Sequence, residues 1–272
     1  MATLRILVTL GILFASLSSF ANVAITAGDC SGALFRMPGM GDGQKALVLT
    51  AGHCIGIGSF REQFPADGEL FLDHPVDESV IVKKTKNEDG ERFGYKKILF
   101  ASMTGTDLAV LELEATYKQL TDKGYVIHSV AQAAPAPGMI IEFNSYNRNV
   151  NSSCEVEKMI PLIKEGPWTW KNFARMKTGD SCRCQHGQSG TAGIEKRSKT
   201  IYALLQTMYE GGRPCTLNNP CEVAPKTGAT TTGALLQAYA VPTLPLYDCY
   251  DKAKARFDFN LGSCKLNFKK NP

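Results

Sequence analysis

Three short segments of the sequence carry residues whose types suit catalysis. His53 follows an apolar run, Asp107 precedes another, and Ser189 lies in a turn bracketed by glycines. A serine hydroxyl is a poor nucleophile at neutral pH unless a base removes its proton, and that base needs a third group to hold it in one tautomer. Each segment alone is a weak signal, but together the three indicate acyl transfer.

The base is the member of this trio for which the sequence offers alternatives. His74 precedes a proline in a loop-like stretch, His128 lies near a predicted linker, and His186 is close enough to Ser189 to share its turn. His53, at the end of an apolar run, is therefore the best candidate for the base.

The elements that must position these residues are predicted to be β-strands. The 25 glycines and 13 prolines are scattered, so turn signals recur at short intervals and few stretches keep a helical period. Many short strands separated by turns favour a barrel or a sandwich, and residues 83–92 indicate a solvated hairpin. The predicted strands cover residues 33–36, 46–50, 69–72, 80–83, 97–101, 108–113, 139–143, 201–207 and 238–241.

A linker is predicted at residues 131–138, which read Ala-Gln-Ala-Ala-Pro-Ala-Pro-Gly. Such a stretch cannot continue a helix or a central strand. We expect residues 22–130 to form an N-terminal β-barrel and residues 139–272 to form a C-terminal β-barrel with a tail. Each part is large enough for its own core.

Residues 1–21 have the features of a cleaved secretory signal peptide: one early cation, a short apolar run and small residues before the expected cleavage site. A buried N-terminal helix is the alternative, but no helix cap or turn follows. The run is shorter than the roughly 20 apolar residues of a membrane span. Nine cysteines are also too many for a typical reduced cytosolic protein. We therefore expect a secreted protein, extracellular or periplasmic, with no stable membrane anchor.

With these motifs the chain resembles the chymotrypsin-like (trypsin-like) serine proteases. The order His, Asp, Ser is theirs, and the separations of 54 and 82 residues suit it. The segments Cys30-Ser31-Gly32-Ala33-Leu34 and Leu49-Thr50-Ala51-Gly52-His53-Cys54 resemble the family's cysteine pair around the catalytic histidine. The resemblance implies an all-β fold of two antiparallel Greek-key β-barrels, with the active site in the cleft between them.

The resemblance also assigns roles to individual residues. Ser189 would be the nucleophile, His53 the general base and then acid, and Asp107 the carboxylate that orients the imidazole. The backbone N–H groups of Gly187 and Ser189 would form the oxyanion hole. The family pairs substrate backbone with a strand that falls here at Thr207, Met208 and Tyr209.

The turn before the nucleophile departs from the trypsin-like pattern. Gln188 stands where zymogens of the family have the aspartate that receives a newly cut N-terminus. We expect hydrogen bonds of Gln188 to hold the turn instead, as in bacterial relatives such as the glutamyl endopeptidase-like branch. Arg183 or His186 in the specificity pocket would favour an acidic substrate side chain, whereas an arginine directed to solvent would leave the preference open.

Nine cysteines leave at least one thiol unpaired. The resemblance implies a Cys30–Cys54 disulfide. We further expect Cys154 to pair with Cys182, Cys249 with Cys264, and Cys184 with Cys215 or Cys221. A structural zinc held by the group Cys182, Cys184, His186, Cys215 and Cys221 is the alternative, which an oxidising compartment disfavours.

The resemblance therefore implies a secreted serine endopeptidase that acts on proteins or peptides through an acyl-enzyme intermediate, as a monomer, without a cofactor or metal. The net charge of +4 is not gathered into long basic runs, so we expect no nucleic-acid partner. Trp168 and Trp170 are predicted to be two packed strand residues, an aromatic substrate wall being the alternative. The alternative function is a catalytically inactive binding protein with the protease fold.

Overall fold

The computed structural model of the protein describes residues 22–27 and 29–269. The predicted signal peptide, residues 1–21, lies outside the described residues. Within the described part no helix is long and apolar enough to cross a membrane, and its one α-helix, α1 (Tyr117–Asp122), is short. The strands are β1 (Asn22–Ile25), β2 (Cys30–Arg36), β3 (Lys45–Thr50), β4 (Leu70–Lys83), β5 (Glu91–Ser102), β6 (Leu108–Thr116), β7 (His128–Val130), β8 (Ile140–Ser145), β9 (Val150–Glu165), β10 (Trp168–Met176), β11 (Ala192–Glu195), β12 (Thr200–Met208), β13 (Cys221–Val223), β14 (Thr230–Thr231), β15 (Ala238–Pro242), β16 (Tyr250–Asp251) and β17 (Arg256–Phe257).

The first barrel contains β1 to β6. Neighbouring strands pair in the order β1–β4–β5–β6–β3–β2, and β2 pairs with β1 again, which closes the ring. Every pairing in it is antiparallel. Its interior is filled by aliphatic and aromatic side chains that lose all contact with water, and burying each contributes about 1.5–3 kcal/mol. These include Leu34, Val48, Val80, Ile98, Phe100 and Val110.

The second barrel repeats this winding with β8, β9, β10, β11, β12 and β15. Its ring runs β8–β9–β10–β15–β12–β11 and closes from β11 to β8. In both rings the first three strands are neighbours in order, followed by the sixth, fifth and fourth, which is a Greek-key arrangement. The expected all-β fold of two antiparallel Greek-key barrels is thereby confirmed.

The strands differ from the predicted ones mainly in length. The two strands predicted at residues 69–72 and 80–83 are the two ends of β4, which continues through a register shift between Pro75 and Glu78. Such an irregularity bends a strand without ending it. Sequence patterns missed β9 and identified β10 only through its first residues, Trp168 and Trp170.

Two segments outside the barrel rings link the two barrels: strand β7 and the C-terminal tail. Strand β7 pairs in parallel with both β2 and β12, and residues 131–138 after it contain neither strand nor helix. After β15 the chain returns to the first barrel, where the Phe259 ring stacks on Phe100 and the Tyr250 hydroxyl donates to the Pro38 carbonyl at 2.7 Å. The tail therefore packs against the first barrel.

The cysteine pairing is partly as expected. The structure contains the disulfides Cys30–Cys54, Cys154–Cys182 and Cys249–Cys264. The expected pairing of Cys184 with Cys215 or Cys221 is wrong, because those two, only six residues apart, bond to each other across their own turn. Cys184 is the free and buried thiol among the nine cysteines, all of which the structure describes. Three of the five residues weighed as zinc ligands are thus committed to disulfides.

Candidate active site

The residues of the predicted trio meet in a cavity between the two barrels. His53 lies in a 3-10 turn directly after β3, Asp107 directly before β6, and Ser189 in the loop before β11. The first barrel thus contributes the histidine and the aspartate, and the second contributes the serine. The cavity is lined by His53, Phe64, Met103, Asp107, Glu165, Trp170, Cys184, Gln185, His186, Ser189, Leu205, Gln206, Thr207, Met208, Glu210, Leu217 and Asn218.

His53 and Asp107 are held together by two hydrogen bonds. The backbone N–H of His53 donates to Asp107 Oδ1 at 3.0 Å, and His53 Nδ1 lies 2.8 Å from Asp107 Oδ2. This contact favours the tautomer with the proton on Nδ1, which leaves Nε2 as the basic nitrogen. Gly52 allows the approach, since a Cβ there would meet Asp107 Oδ1 at 2.9 Å. The pair has the geometry of a base held by its orienting acid.

The surroundings of His53 favour its protonated form. Burial acts to lower the pKa of His53, but the charge of Asp107 and its hydrogen bond outweigh burial, so the pKa lies above the ordinary value of 6.5. Asp107 itself is only 1% exposed. A buried negative charge beside the imidazole stabilises the imidazolium that forms when the base takes a proton.

Ser189 lies in the same cavity but its hydroxyl is turned toward another acceptor. Ser189 Oγ donates to the backbone carbonyl of Gln206 at 3.2 Å. Within the described part of the chain there is no hydrogen bond between Ser189 and His53. The structure therefore brings the three residues into one cavity and joins two of them directly.

The turn that carries Ser189 is fastened to the first barrel. The N–H of Ser31 donates to the Ser189 carbonyl at 2.8 Å, and its hydroxyl donates to the Gly187 carbonyl at 3.1 Å. Gly187 has a φ of 81°, and a Cβ there would overlap the guanidinium of Arg148. The left-handed backbone therefore favours glycine at this end of the turn, and a side chain there would have to displace Arg148.

Gln188 is fully buried beneath this turn, and its Oε1 accepts a hydrogen bond from the N–H of Gln185 at 2.8 Å. Thr191 closes the turn on the other side by donating its N–H to the Gln188 carbonyl at 2.9 Å. The turn is thus held without the aspartate of trypsin-like zymogens, in the manner expected from the sequence.

No protein-family model matches the chain. No curated protein matches it either. Among solved structures it is similar to the MamO protease domain from Magnetospirillum magneticum, at 15% identity over 85% of this chain and 95% of that one, with a TM-score of 0.47. A glutamic acid specific serine protease described as using a histidine triad in substrate binding matches at 15% over 81% and 90%, with a TM-score of 0.43. Nocardiopsis protease matches at 13% over 85% and 93%, with a TM-score of 0.45.

These neighbours are chymotrypsin-like serine proteases. At such identities the likeness concerns the fold alone, so the chemistry of the cavity has to be judged from its own residues.

Gln206 is a residue of the site that sequence reasoning passed over. Its side-chain Nε2 donates to the backbone carbonyl of Asp107, while its own carbonyl accepts from Ser189. It therefore lies between Asp107 from one barrel and Ser189 from the other. The signal for it in the sequence was one amide side chain directly after the apolar run 203–205 of β12.

Of the three residues predicted to pair with substrate backbone, two line the cavity and one does not. Thr207 and Met208 end β12 and line the cavity. Tyr209 follows the strand, and its N–H donates to the Gln237 carbonyl at 3.0 Å while its hydroxyl donates to Gly212. Tyr209 is not among the residues that line the cavity.

The two cations considered for a specificity pocket have other partners. Arg183 is directed to solvent, with a side chain 76% exposed, and pairs with Asp180. His186 lines the cavity and forms an ion pair with Glu210 when it is protonated. Arg183 therefore lies outside the cavity lining. His186 lies in it but already contacts a carboxylate of the protein.

The two tryptophans are buried and parallel on one side of β10. Their rings lie 6.4 Å apart at an angle of 11°. Each indole N–H has a partner, since Trp168 donates to the Pro65 carbonyl at 3.0 Å and Trp170 to the Met103 carbonyl at 2.8 Å. They are packed strand residues, and Trp170 in addition forms part of the cavity wall.

Glu165 is a second buried carboxylate of the cavity, and the sequence alone did not single it out. It ends β9 and is only 3% exposed. Its Oε1 accepts from the Asn218 N–H at 2.8 Å, whereas its Oε2 has no hydrogen-bond partner. Burial raises the pKa of Glu165 to about 7, although the Thr207 side chain, the Asn218 N–H and nearby His53 act to lower it.

Proposed function

We propose that this protein is a secreted serine endopeptidase that hydrolyses peptide bonds through an acyl-enzyme intermediate. The observation that carries the proposal is the His53–Asp107 pair, with a contact of 2.8 Å, in the same inter-barrel cavity as Ser189. A base held by a buried acid beside a hydroxyl is the arrangement that activates a weak nucleophile. The substrate is a protein or peptide, and the residues present need no cofactor.

Acylation begins when His53 Nε2 takes the proton of Ser189 Oγ, which attacks the carbonyl carbon of the scissile bond. The imidazolium then gives its proton to the departing amine as the C–N bond breaks, which leaves an ester on Ser189. Water, deprotonated by His53, attacks the ester, and Ser189 recovers its proton when the acid product leaves. Asp107 keeps its charge throughout and holds the imidazole in place.

The hydroxyl of Ser189 must turn from the Gln206 carbonyl toward His53 before this sequence begins. The move is a rotation about χ1 between staggered positions, which side chains make within picoseconds to nanoseconds when space allows. The hydrogen bond that it gives up, at 3.2 Å, is a long one for an O–H donor. Catalytic hydrogen bonds often tighten only when the substrate is bound.

The backbone N–H groups of Gly187 and Ser189 would receive the negative charge that develops on the carbonyl oxygen. The left-handed Gly187 and the bonds from Ser31 and Gln188 keep that turn in one shape. A single donor of such a hole contributes about 3–4 kcal/mol to stabilising a transition state.

The location outside the cytoplasm is part of the same proposal. Four disulfides persist in an oxidising compartment, extracellular or periplasmic, and would be reduced in most cytosols. The N-terminal sequence pattern of a secretory signal supports the same location. We propose that the mature chain acts as a monomer with no membrane anchor.

The rival function is a binding protein that keeps the protease fold without its activity. The observation that favours it is the direction of the Ser189 hydroxyl, which bonds to Gln206 rather than to His53. A serine that stayed in this position could not transfer its proton to the base. The two functions therefore predict opposite reactivities for one side chain.

The test is labelling of the mature protein with a fluorophosphonate probe, which bonds only to a serine activated by its base. We expect covalent labelling of the native chain and at least a thousandfold slower labelling of Ser189→Ala. Ser181→Ala, a serine of the same loop outside the cavity lining, is the matched control and should label normally. Labelling that is absent, or that persists in Ser189→Ala, would favour the binding protein.

A further inference from the structure

Glu165 has a free carboxylate oxygen that the proposed chemistry does not use. The side chain lies at the end of β9, where Gly166 and Pro167 turn the chain into β10. The Asn218 N–H satisfies one oxygen, and the other is buried without a partner. A buried polar atom of this kind is costly and calls for an explanation.

In the described part of the chain three carboxylates line the cavity, and Glu165 is the one that forms no ion pair with a basic side chain. Asp107 is paired with His53, and Glu210 with His186. Among the described residues no lysine or arginine forms an ion pair with Glu165. A positive charge brought by a bound molecule would therefore meet a carboxylate that no Lys or Arg side chain of the described residues neutralises.

Part of the wall of the cavity that Glu165 lines is apolar. Phe64 and Met103 come from the first barrel, and Trp170 and Leu217 from the second. Lysine and arginine combine an aliphatic stem, which packs on such walls, with a cationic head that pairs with a carboxylate. Aromatic rings add attraction for the cation itself. A cavity that combines such walls with a carboxylate lacking a Lys or Arg partner therefore matches a basic side chain better than an acidic or a purely apolar one.

We propose that Glu165 anchors a subsite that binds a lysine or arginine side chain of the substrate, within a few residues of the scissile bond. This inference rests on the proposed endopeptidase function, because the subsite shares the cavity with His53 and Ser189. It contrasts with the acidic preference that His186 suggested, since His186 is already paired with Glu210.

The test measures binding without cleavage, so it does not depend on catalysis. Immobilised Ser189→Ala protein is incubated with peptide libraries in which one position is lysine or its uncharged counterpart norleucine and the others are mixed. Retained peptides are quantified by mass spectrometry. We expect lysine to be retained about tenfold over norleucine at one position, a ratio worth one decade of affinity.

Two variants of the Ser189→Ala protein test whether the lysine preference depends on Glu165. Glu165→Gln keeps the shape and an acceptor for the Asn218 N–H but removes the charge, so the lysine to norleucine ratio should fall close to one. Glu155→Gln removes the same charge from the same strand, where Glu155 contacts Lys177 outside the cavity, and should keep the tenfold ratio. Equal retention of the two residues at every position, or a preference that survives Glu165→Gln, overturns the inference.

A second measurement separates a binding role from a structural one. Because the pKa of Glu165 is about 7, the lysine preference should weaken severalfold between pH 8 and pH 5.5, as the carboxylate gains a proton. The other titratable side chains of the cavity are His53, Asp107, Cys184, His186 and Glu210, so the same pH series in Glu165→Gln must be flat. Fluorophosphonate labelling reports separately on the proposed function.

Discussion

The two barrels bring different kinds of carboxylate to one cavity. Asp107, from the first barrel, accepts from the backbone N–H of His53 and lies 2.8 Å from its ring nitrogen. Glu165, from the second, has one donor for one oxygen and none for the other. Both are almost fully buried, so burial alone does not distinguish them. The number of partners does: both oxygens of Asp107 contact His53, whereas Glu165 has one oxygen left to take up a proton or a cation.

The turns that contain His53 and Ser189 also differ in what holds them. The turn at His53 is tied within its own barrel by Asp107 and by the Cys30–Cys54 disulfide. The turn at Ser189 is held from across the cleft by Ser31 and from below by Gln188. The turn at His53 is thus held by contacts within the first barrel. The turn at Ser189 depends on how the two barrels pack together.

The largest effect on kcat is expected from a substitution that disrupts the His53–Asp107 contact. Asp107→Asn preserves the size of the side chain but favours the wrong tautomer of His53, so kcat should fall roughly 10⁴-fold. Steady-state hydrolysis of a peptide substrate measures it, and Asp180→Asn, an exposed acid of the serine loop, is the control. A loss of less than tenfold would show that the Asp107 charge is not required.

A change in the shape of the turn that carries Ser189 should also lower kcat. Gly187→Ala places a Cβ at a φ of 81° and against Arg148, which shifts one proposed oxyanion donor. We expect kcat to fall about 10²- to 10³-fold. Gly179→Ala, earlier in the same loop, adds a Cβ where nothing lies within 4 Å, so kcat should change less than twofold. Equal effects of the two variants would contradict the comparison.

The smallest expected effect is the contribution of Glu165 to the pH dependence of stability. A carboxyl whose pKa rises from 4.5 to about 7 on folding stabilises the protein fully below pH 4.5, and this contribution disappears as the pH rises to about 7. Relative to Glu165→Gln, the native chain should therefore lose about 3 kcal/mol of unfolding free energy across that window. Urea unfolding of both proteins at pH 4.5 and pH 8 measures the difference.

Should the difference between the two proteins stay constant from pH 4.5 to pH 8, Glu165 is not held in a protonated form. Glu155→Gln, which changes an exposed carboxylate on the same strand, provides the reference for effects of net charge alone.

The sequence contained the signals for the chemistry because those signals are local. A histidine after an apolar run, an aspartate before one and a serine between glycines follow from strand ends and tight turns, which a few neighbouring residues specify. The Cys30–Cys54 disulfide was implied by the resemblance to the chymotrypsin-like proteases, and the structure contains it. Pairings that depend on the path of a loop could not be inferred, so the partner assigned to Cys184 was wrong.

By itself, then, the sequence determined an all-β protein with a His, Asp and Ser set in protease order. Only the tertiary structure decided that Gln206 lies between Asp107 and Ser189, that the Ser189 hydroxyl bonds to the Gln206 carbonyl, and that Glu165 is buried in the same cavity. The physical reason is distance along the chain. Glu165 and His53 are far apart in sequence and belong to different barrels, and a shared cavity exists only where the two closed rings pack together.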